Sequence, residues 1–307
     1  MDNSLILSHL PHSVAYHASV LEMRQRPAPP EPGEIADAVC RAEREHARAV
    51  WETIHTARRL ADDTATVLGR NVSVASFWSD EYPPALRALE EPPWNLFYKG
   101  KLPREAPRTL AVVGSRRPDA YGVRLVSEFL PRLTTRGLQV VSGLAHGIDS
   151  LAHHYATESG MPNFAVLGSG VDVLYPADNN ELAARVLDSG GGLLSELPPG
   201  TQPRAMHFPR RNRIISGLAD VVWVVQGAGR SGSLHTARAA VAQGKTVAAV
   251  PSSVFSELSQ IPNRLIYDGA CTVLRADDLD HLLQTHARDA IPANLAPQRQ
   301  QLPLEGL

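Results

Sequence analysis

Apolar runs of strand length alternate with glycine-rich polar turns between residues 109 and 250. The runs are hydrophobic at successive positions rather than at every second one, which is typical of parallel strands covered on both faces. Stretches of helical composition separate them, so the pattern predicts an open, doubly wound, mostly parallel α/β sheet with strand–helix crossovers. The runs that lead into a glycine turn span residues 109–113, 138–142, 164–167 and 221–226.

The first hundred residues lack this alternation. Residues 34–69 are rich in Ala, Glu and Arg and contain no proline, which predicts a helix. Proline clusters follow, and a short strand is predicted over Asn95–Lys99. We therefore expect a smaller, mainly α-helical N-terminal domain over residues 1–80. A larger α/β core over 81–285 and a disordered tail over 286–307 complete the predicted organisation.

Glycines at the strand ends predict where a ligand would bind. A glycine lets the chain turn tightly and brings backbone N–H groups close to an anion. Parallel strands end at one edge of the sheet, so their turns would share one crevice. The first turn could also be a plain strand–helix connection with solvated arginines. The candidate phosphate-binding residues are Gly114, Ser115, Arg116, Arg117, Gly143, Gly168, Ser169 and Gly170.

The most basic segment covers residues 207–216. A helix is predicted over residues 212–218, which places Arg210 and Arg211 at or before its first turn, where a cation is unfavourable unless an anion binds. Phe208 lies beside these arginines, and unpaired nucleic acid uses this combination: a base stacks on the ring while a cation holds the phosphate. Phe208, Arg210, Arg211 and Asn212 are therefore candidate binding residues. The alternative interpretation is a solvated basic run with Phe208 in the core.

A further glycine turn follows the run at 221–226. It reads Gly227-Ala-Gly-Arg-Ser-Gly232, a G-x-G-x-x-G pattern between a predicted strand and a predicted helix. A nicotinamide cofactor would also need an acidic residue at the end of the next strand, and residues 246–250 provide none. A general phosphate-binding loop explains these residues as well as a dinucleotide-binding loop does. Its candidate residues are Arg230, Ser231, Gly232 and Ser233.

Acidic and metal-binding patterns are weak. Asp149 and Asp172 fall near the predicted sheet edge together with His146, but Asp149 fits a helix N-cap better than a catalytic acid. The two cysteines are far apart and lack zinc-ligand spacing, which favours a reducing cytosol. No apolar run approaches the length of a membrane span. We predict no catalytic residue, metal or cofactor, and a cytoplasmic location without membrane contact.

The charge composition restricts the site further. The formal net charge is −2, so any affinity for phosphates must come from a local cluster. Lysine occurs only at positions 99, 101 and 245, and the other basic residues are arginines, which suit bidentate phosphate contacts. A GC-rich genome would also enrich arginine over lysine, without any functional reason.

Several motifs, in order, resemble the DprA/Smf family of DNA-processing proteins. The resemblance covers about residues 80–283, and Tyr82-Pro-Pro-Ala-Leu and Leu96-Phe-Tyr-Lys-Gly100 are similar to the segments by which the family's chains enter the core. The motifs within the core are Gly114-Ser-Arg116, Ser142-Gly-Leu-Ala-His-Gly-Ile-Asp149, Leu174-Tyr-Pro176, Ser195-Glu, His207-Phe-Pro-x-Arg-Asn-Arg-Ile-Ile215, Ser231-Gly-Ser-Leu234 and Asn263-Arg-Leu-Ile266.

This resemblance implies an extended Rossmann-like core that binds single-stranded DNA. Such proteins form dimers, protect incoming DNA during natural transformation and load a RecA-type recombinase on it. They are not enzymes. Three features depart from the family: no Gly-x-Gly hairpin of the SAM-like N-terminal module is found in residues 1–80, no winged helix follows the core, and Ala177 stands where some members have a lysine.

A nucleotide-binding or nucleotide-hydrolysing enzyme on a related, lysine-decarboxylase-like fold is the alternative function. Such phosphoribohydrolases carry a catalytic glutamate in the loop that corresponds to residues 229–236. This chain has Thr236 at that position, which favours the DNA-binding interpretation.

Overall fold

Nine strands of the described chain form a single mixed sheet. The computed structural model describes residues 3–10, 22–42, 47–68, 71–103, 108–134, 137–229 and 231–285. The strands follow the order β1-β2-β6-β5-β4-β3-β7-β8-β9 across the sheet. They are β1 (Ser73–Ser76), β2 (Asn95–Gly100), β3 (Thr109–Val113), β4 (Gln139–Ser142), β5 (Asn163–Val166), β6 (Gly192–Ser195), β7 (Val221–Val224), β8 (Thr246–Ala249) and β9 (Cys271–Thr272).

The strands from β3 to β9 pair in parallel, whereas β2 runs antiparallel to both β1 and β6. The predicted doubly wound α/β fold and the predicted strand after the proline clusters are both confirmed. After β3 the chain continues to β4 on one side, and after β7 it continues to β8 on the other. A crevice therefore opens between the carboxyl ends of β3 and β7, where such folds bind ligands.

Helices cover both faces of the sheet. They are α1 (Ser4–His9), α2 (Pro32–Ala42), α3 (Ala47–Val67), α4 (Pro84–Arg87), α5 (Ala120–Phe129), α6 (Ile148–Glu158), α7 (Asn180–Asp188), α8 (His207–Leu218), α9 (Gly232–Ala242), α10 (Gln260–Tyr267) and α11 (Ala276–Thr285). One hydrophobic cluster contains residues of α8, α9 and α10, and a second contains residues of α5, α6 and α11. The two clusters lie on opposite faces of the central strands.

Strand β7 shows why these segments are hydrophobic at every position. Val222 and Val224 belong to the cluster under α8 and α9, whereas Val221 and Trp223 belong to the cluster under α5 and α11. The Trp223 ring is fully buried and stacks on Phe129 with 6.0 Å between ring centroids. Because alternate side chains enter two different cores, no position of the strand can be polar.

The N-terminal helices pack on the same core as α8. Leu5, Ile35 and Ile54 are buried in that cluster. The amide nitrogen of Asn95 on β2 donates to the Ser4 carbonyl at 2.6 Å, and the Ser4 hydroxyl donates back to the Asn95 amide oxygen at 2.8 Å. Strand β1 lies before the predicted start of the core at residue 81 and is part of the sheet. The division of the chain at that residue stays a prediction, and residues 286–307 lie outside the described residues.

The prediction of a helix over residues 212–218 was wrong at its start. Helix α8 begins at His207, so Arg210 and Arg211 lie inside it rather than before it. Pro209 was the misleading residue. A proline is tolerated within the first helical turn because the N–H groups there have no intrahelical acceptor.

Among the described residues, no helix combines the length and apolar character needed to cross a membrane.

Replacing Asn95 with alanine should destabilise the sheet and the N-terminal helices together. The substitution removes both buried hydrogen bonds between Asn95 and Ser4 and a further hydrogen bond of 2.7 Å to Ser8. We expect the free energy of unfolding to fall by about 1–3 kcal/mol in chemical denaturation. The same substitution at the exposed Asn71 is the control and should change it by less than about 0.5 kcal/mol. Equal effects of both variants would contradict the role assigned to Asn95.

Candidate nucleic-acid interface

A cleft of about 680 Å³ opens at the carboxyl ends of β3 and β7. We call it the basic cleft. The turn after β3, the first two turns of α8 and the start of α9 form its walls. Its lining includes Gly114, Arg116, Ala145, Asp149, Tyr175, Arg204, Phe208, Arg211, Asn212, Ser231, Gly232, Ser233, His235 and Thr236. Segments that are far apart in the sequence therefore meet at the predicted edge of the sheet.

The side chains of Arg116 and Phe208 contact each other in this cleft. The guanidinium carbon of Arg116 lies 5.7 Å from the centroid of the Phe208 ring, within the range of a cation–π contact. Tyr175, half of whose surface is exposed, lies on another side of the ring, with 5.7 Å between the centroids. An exposed cation and two aromatic rings therefore lie side by side at the mouth of the cleft.

Gly168 allows Phe208 to pack against the end of β5. A Cβ atom at this position would lie 2.8 Å from the Phe208 ring, closer than side chains can approach. The neighbouring His207 places its Nδ1 atom 3.2 Å from the Gly168 carbonyl oxygen. Burial lowers the pKa of His207, and the nearby Arg204 and Arg210 lower it further. The end of β5 thus sets the position of the first turn of α8 through Phe208 and His207. The His207 imidazole adds no charge at neutral pH because its pKa is lowered.

Arg211 lies beneath the cleft and is buried. Its guanidinium donates a hydrogen bond to the Val166 carbonyl at the end of β5, and a Cβ atom at Gly143 would overlap with it. Burial lowers the pKa of Arg211 to about 10, while the nearby Asp149 carboxylate acts in the opposite direction. The guanidinium remains charged at neutral pH and joins the carboxyl ends of β4 and β5 to α8.

Asp149 is the acidic counterpart of this arginine. Burial raises the pKa of its carboxyl, whereas Arg211 and the backbone N–H groups of Gly143 and Ala145 lower it. The predicted N-cap role was wrong, since α6 has its N-cap at Gly147 and Asp149 lies in the first turn. Its carboxylate accepts from the Gly143 N–H at 3.1 Å and so holds the turn after β4 in place.

The turn after β7 closes the other side of the cleft. The Ser231 side chain accepts from the Ser233 N–H and caps α9, and the Asn212 amide donates to the Gly232 carbonyl at 3.3 Å. Helices α8 and α9 therefore meet at the cleft. The strand–turn–helix context of the G-x-G-x-x-G pattern is as expected, while Arg230 lies outside the described residues.

The predicted residues that the structure describes divide into four groups. Those that line the basic cleft are Gly114, Arg116, Phe208, Arg211, Asn212, Ser231, Gly232 and Ser233. Gly143 and Gly168 lie directly behind it, against Arg211 and Phe208. Arg210 lines a neighbouring cleft of about 490 Å³, which shares Arg204 and Arg211 with the first. The remaining described candidates, Ser115, Arg117, Ser169 and Gly170, do not line the basic cleft.

Tyr175 and Arg204 are among the residues of the basic cleft that sequence reasoning missed. Tyr175 belongs to the Tyr-Pro motif that carried the family resemblance, so its aromatic ring could have been included. Arg204 is a single basic residue in a loop, and nothing in its local sequence indicates that the loop folds back over α8.

Several described arginines of the core are paired with carboxylates, but three described arginines at the two clefts are not. Within the part of the chain that the structure describes, Arg116, Arg204 and Arg210 have no carboxylate partner. Other surface arginines do, and these cation–carboxylate pairs are Arg124–Glu128, Arg185–Glu158, Arg213–Glu196, Arg264–Asp268 and Arg275–Asp278. Cations that are not neutralised within the protein are available to an anionic ligand. Over the described ranges, no group of histidines, cysteines and carboxylates is placed to hold a metal ion.

The fold and the cleft define an α/β protein of the Rossmann type with an arginine- and phenylalanine-lined crevice at its switch point. Over residues 73–284 the chain matches the sequence model of the family described as DNA recombination-mediator protein A. The chain belongs to this family, which confirms the resemblance to DprA/Smf proteins.

The curated relatives carry the names Protein Smf and DNA processing protein DprA. Protein Smf of Escherichia coli is 45% identical over 206 residues, which cover 67% of this chain and 55% of that protein. The DNA processing protein DprA of Bacillus subtilis is 41% identical over 202 residues, 66% of this chain and 68% of the relative. The matched segment thus spans little more than half of the E. coli protein.

Solved structures agree with this assignment. DprA from Streptococcus pneumoniae has a TM-score of 0.77 at 33% identity, covering 91% of this chain and 97% of that one. DNA processing protein A from Helicobacter pylori, whose structure describes its single-stranded DNA binding mode, has a TM-score of 0.61 at 26% identity. That match covers 70% of this chain and 96% of the other.

A buried histidine behind the cleft makes the stability of the protein depend on pH. The Nδ1 atom of His153 on α6 lies 2.9 Å from the Asn163 amide oxygen, and burial lowers the pKa of His153 to about 4. The folded chain therefore keeps this imidazole neutral at pH 5, whereas the unfolded chain protonates it near pH 6.5. Since the unfolded state then binds more protons, stability is lost as the pH falls from 7 towards 4.

Replacing His153 with glutamine should weaken this pH dependence. We expect the loss in free energy of unfolding between pH 7 and pH 5 to be about 2 kcal/mol smaller in the variant than in the wild type. Urea denaturation at the two pH values measures the difference. The exposed His281 provides the control, because its replacement by glutamine should leave the loss unchanged. An unchanged loss in the His153 variant would contradict a neutral buried imidazole.

Proposed function

We propose that this protein binds single-stranded DNA in the basic cleft and has no catalytic activity. The observation that carries the proposal is the placement of the Arg116 guanidinium over the Phe208 ring at an open crevice. A base can stack on the exposed part of an aromatic ring while a neighbouring guanidinium holds its phosphate. This arrangement recognises backbone and base faces, so it tolerates any sequence.

The charge distribution supports a polyanionic ligand. The chain as a whole is slightly acidic, with a net charge of −2, yet Arg116, Arg204 and Arg210 form no ion pair with a carboxylate among the described residues. Arg204 lies between the basic cleft and the neighbouring cleft with Arg210. A strand that passes Phe208 would meet these cations in succession. The single-stranded DNA binding described for the H. pylori relative is consistent with such a path.

The finer parts of the proposal follow from family membership. We infer that the protein acts in the cytoplasm as a homodimer, protects incoming single strands and transfers them to a RecA-type recombinase during natural transformation. The residues proposed for DNA contact are the predicted residues other than Arg211 that line the cleft, with Arg210 as an outer contact; they are Gly114, Arg116, Phe208, Asn212, Ser231, Gly232 and Ser233. Arg211 would act from below, by holding α8 in place, since its side chain is buried.

The nucleotide-hydrolysing alternative finds little support in the cleft. Thr236 lines it at the position where phosphoribohydrolases carry a glutamate, and its side chain is buried. The carboxylate present, Asp149, is held by backbone N–H groups and by Arg211. An assay for free base released from nucleoside monophosphates distinguishes the two functions, and we expect no release.

Replacing Arg116 with alanine should weaken binding to a single-stranded oligonucleotide and reduce its salt dependence. On a single strand, each neutralised phosphate contributes about −0.7 to the slope of log K against log salt concentration. We therefore expect the slope of the variant to be shallower by about 0.7, measured by fluorescence anisotropy over a salt series. Wild-type affinity for a duplex of the same sequence should be lower than for the single strand.

The matched control is the replacement of Arg124 with alanine. Arg124 is exposed on α5, pairs with Glu128 at 2.6 Å and lies outside the cleft. Its removal changes the net charge equally and should leave the slope at the wild-type value. Equal slopes for all three proteins would contradict a phosphate contact at Arg116, and failure of the wild type to bind single strands would contradict the proposed function.

A further inference from the structure

An exposed aromatic side chain lies at the same edge of the sheet as the basic cleft. Phe255 is 96% exposed and its neighbour Val254 is 80% exposed, both in the loop that joins β8 to α10. Contiguous exposed apolar side chains can mark an interaction site, and these two side chains are neighbours in the loop. The contacts of the cleft described above do not involve this loop.

The loop is fixed by hydrogen bonds at its base. The Ser252 N–H donates to the Asn263 side chain at 3.0 Å, and the Asn263 amide donates back to the Ser252 carbonyl at 2.9 Å. The Ser259 hydroxyl donates to the Ser253 carbonyl at 2.6 Å, and the Tyr121 hydroxyl donates to the Pro251 carbonyl at 2.9 Å. These hydrogen bonds fix the backbone on both sides of Phe255, whose ring is exposed to solvent.

This loop is also joined to the glycine turn that forms one wall of the cleft. The Gly227 N–H donates to the Leu258 carbonyl at 2.7 Å, and the Ile261 N–H donates to the Gly227 carbonyl at 3.0 Å. The Gly229 N–H donates to the Gln260 side chain at 2.8 Å. Strands β7 and β8 are parallel neighbours, so the loop and the turn leave the same sheet edge side by side.

The helices next to these segments lie on one face. Residues of α8, α9 and α10 share one hydrophobic cluster, so the start of each helix reaches the sheet edge on the same side. Phe208 at the start of α8, Ser231 before α9 and Phe255 before α10 therefore form a row. Phe208 packs against the end of β5 and Phe255 follows β8, which is four strand positions away and hence roughly 19 Å along the edge.

We propose that Phe255 stacks on a second base of the same DNA strand, at the opposite end of a path that begins at Phe208. This inference rests on the proposed function. The separation of roughly 19 Å corresponds to about six nucleotides at a spacing of about 3.4 Å, and to fewer in an extended strand. A rigid loop with an aromatic ring facing solvent suits a base, since every base has a face that can stack.

The first test is the length dependence of binding by a Phe255→Ala variant. With an oligothymidylate of about twelve nucleotides, which can span both rings, we expect affinity to fall about 5- to 150-fold, the range for loss of one stacked base. With about three nucleotides, too few to connect the rings, wild type and variant should bind equally. Tyr267→Ala is the control, because this tyrosine is 76% exposed but lies at the far end of α10, next to the start of β9.

A Phe255→Trp variant gives an independent readout. An indole that stacks on a base should lose fluorescence on addition of the longer oligonucleotide, after subtraction of the signal from the four native tryptophans. Unchanged affinity of the Phe255→Ala variant, or an equal loss for both lengths, would overturn the proposal while the proposed function stands. A change in oligomeric mass with unchanged DNA affinity would assign the ring to a protein contact instead. Absence of single-stranded DNA binding by the wild type would contradict both this proposal and the proposed function.

Discussion

A buried guanidinium beneath the carboxyl ends of β4 and β5 holds the basic cleft together. Arg211 reaches from α8 to the Val166 carbonyl and lies against Gly143. Phe208 precedes it by three residues, so both side chains lie on the same face of the helix. The contact that fixes Arg211 therefore also fixes the ring of Phe208 at the cleft, while Arg213, further along, pairs with Glu196 on another side.

Such an arrangement is costly unless every partner is present. A buried cation loses its hydration, and only nearby charges and acceptors compensate for that loss. Here Asp149 supplies the opposite charge, and it is itself held by the Gly143 N–H. Gly143 has no side chain, which leaves space for the guanidinium. The glycine that sequence analysis assigned to anion binding thus accommodates a cation of the protein itself, and the cleft gains rigidity because these groups fit in one arrangement only.

The sequence predicted the sheet and its ligand edge because those features depend on local patterns. Continuous apolar runs and glycine turns are local, and the convergence of Arg116, Phe208 and Ser231 follows from parallel strands alone. The depth of each side chain depends on long-range packing and could not be predicted. Three consecutive residues illustrate this: Arg210, Arg211 and Asn212 were predicted as equivalent, yet the first lines a neighbouring cleft and the other two are buried. The helix start at His207 was obscured by Pro209.

The crevice between β3 and β7 is where related folds hold dinucleotides, and its residues suit the proposed DNA strand better than a dinucleotide. A dinucleotide needs a closed end with an acidic ribose partner, whereas β8 leads here into Pro251 and an outward-facing loop. At the other end the cleft continues past Arg204 into a second cleft. A site that continues into a second cleft, with cations along it and an aromatic ring beside them, is open to a ligand longer than a dinucleotide. It can hold consecutive nucleotides of a strand whose ends extend beyond it.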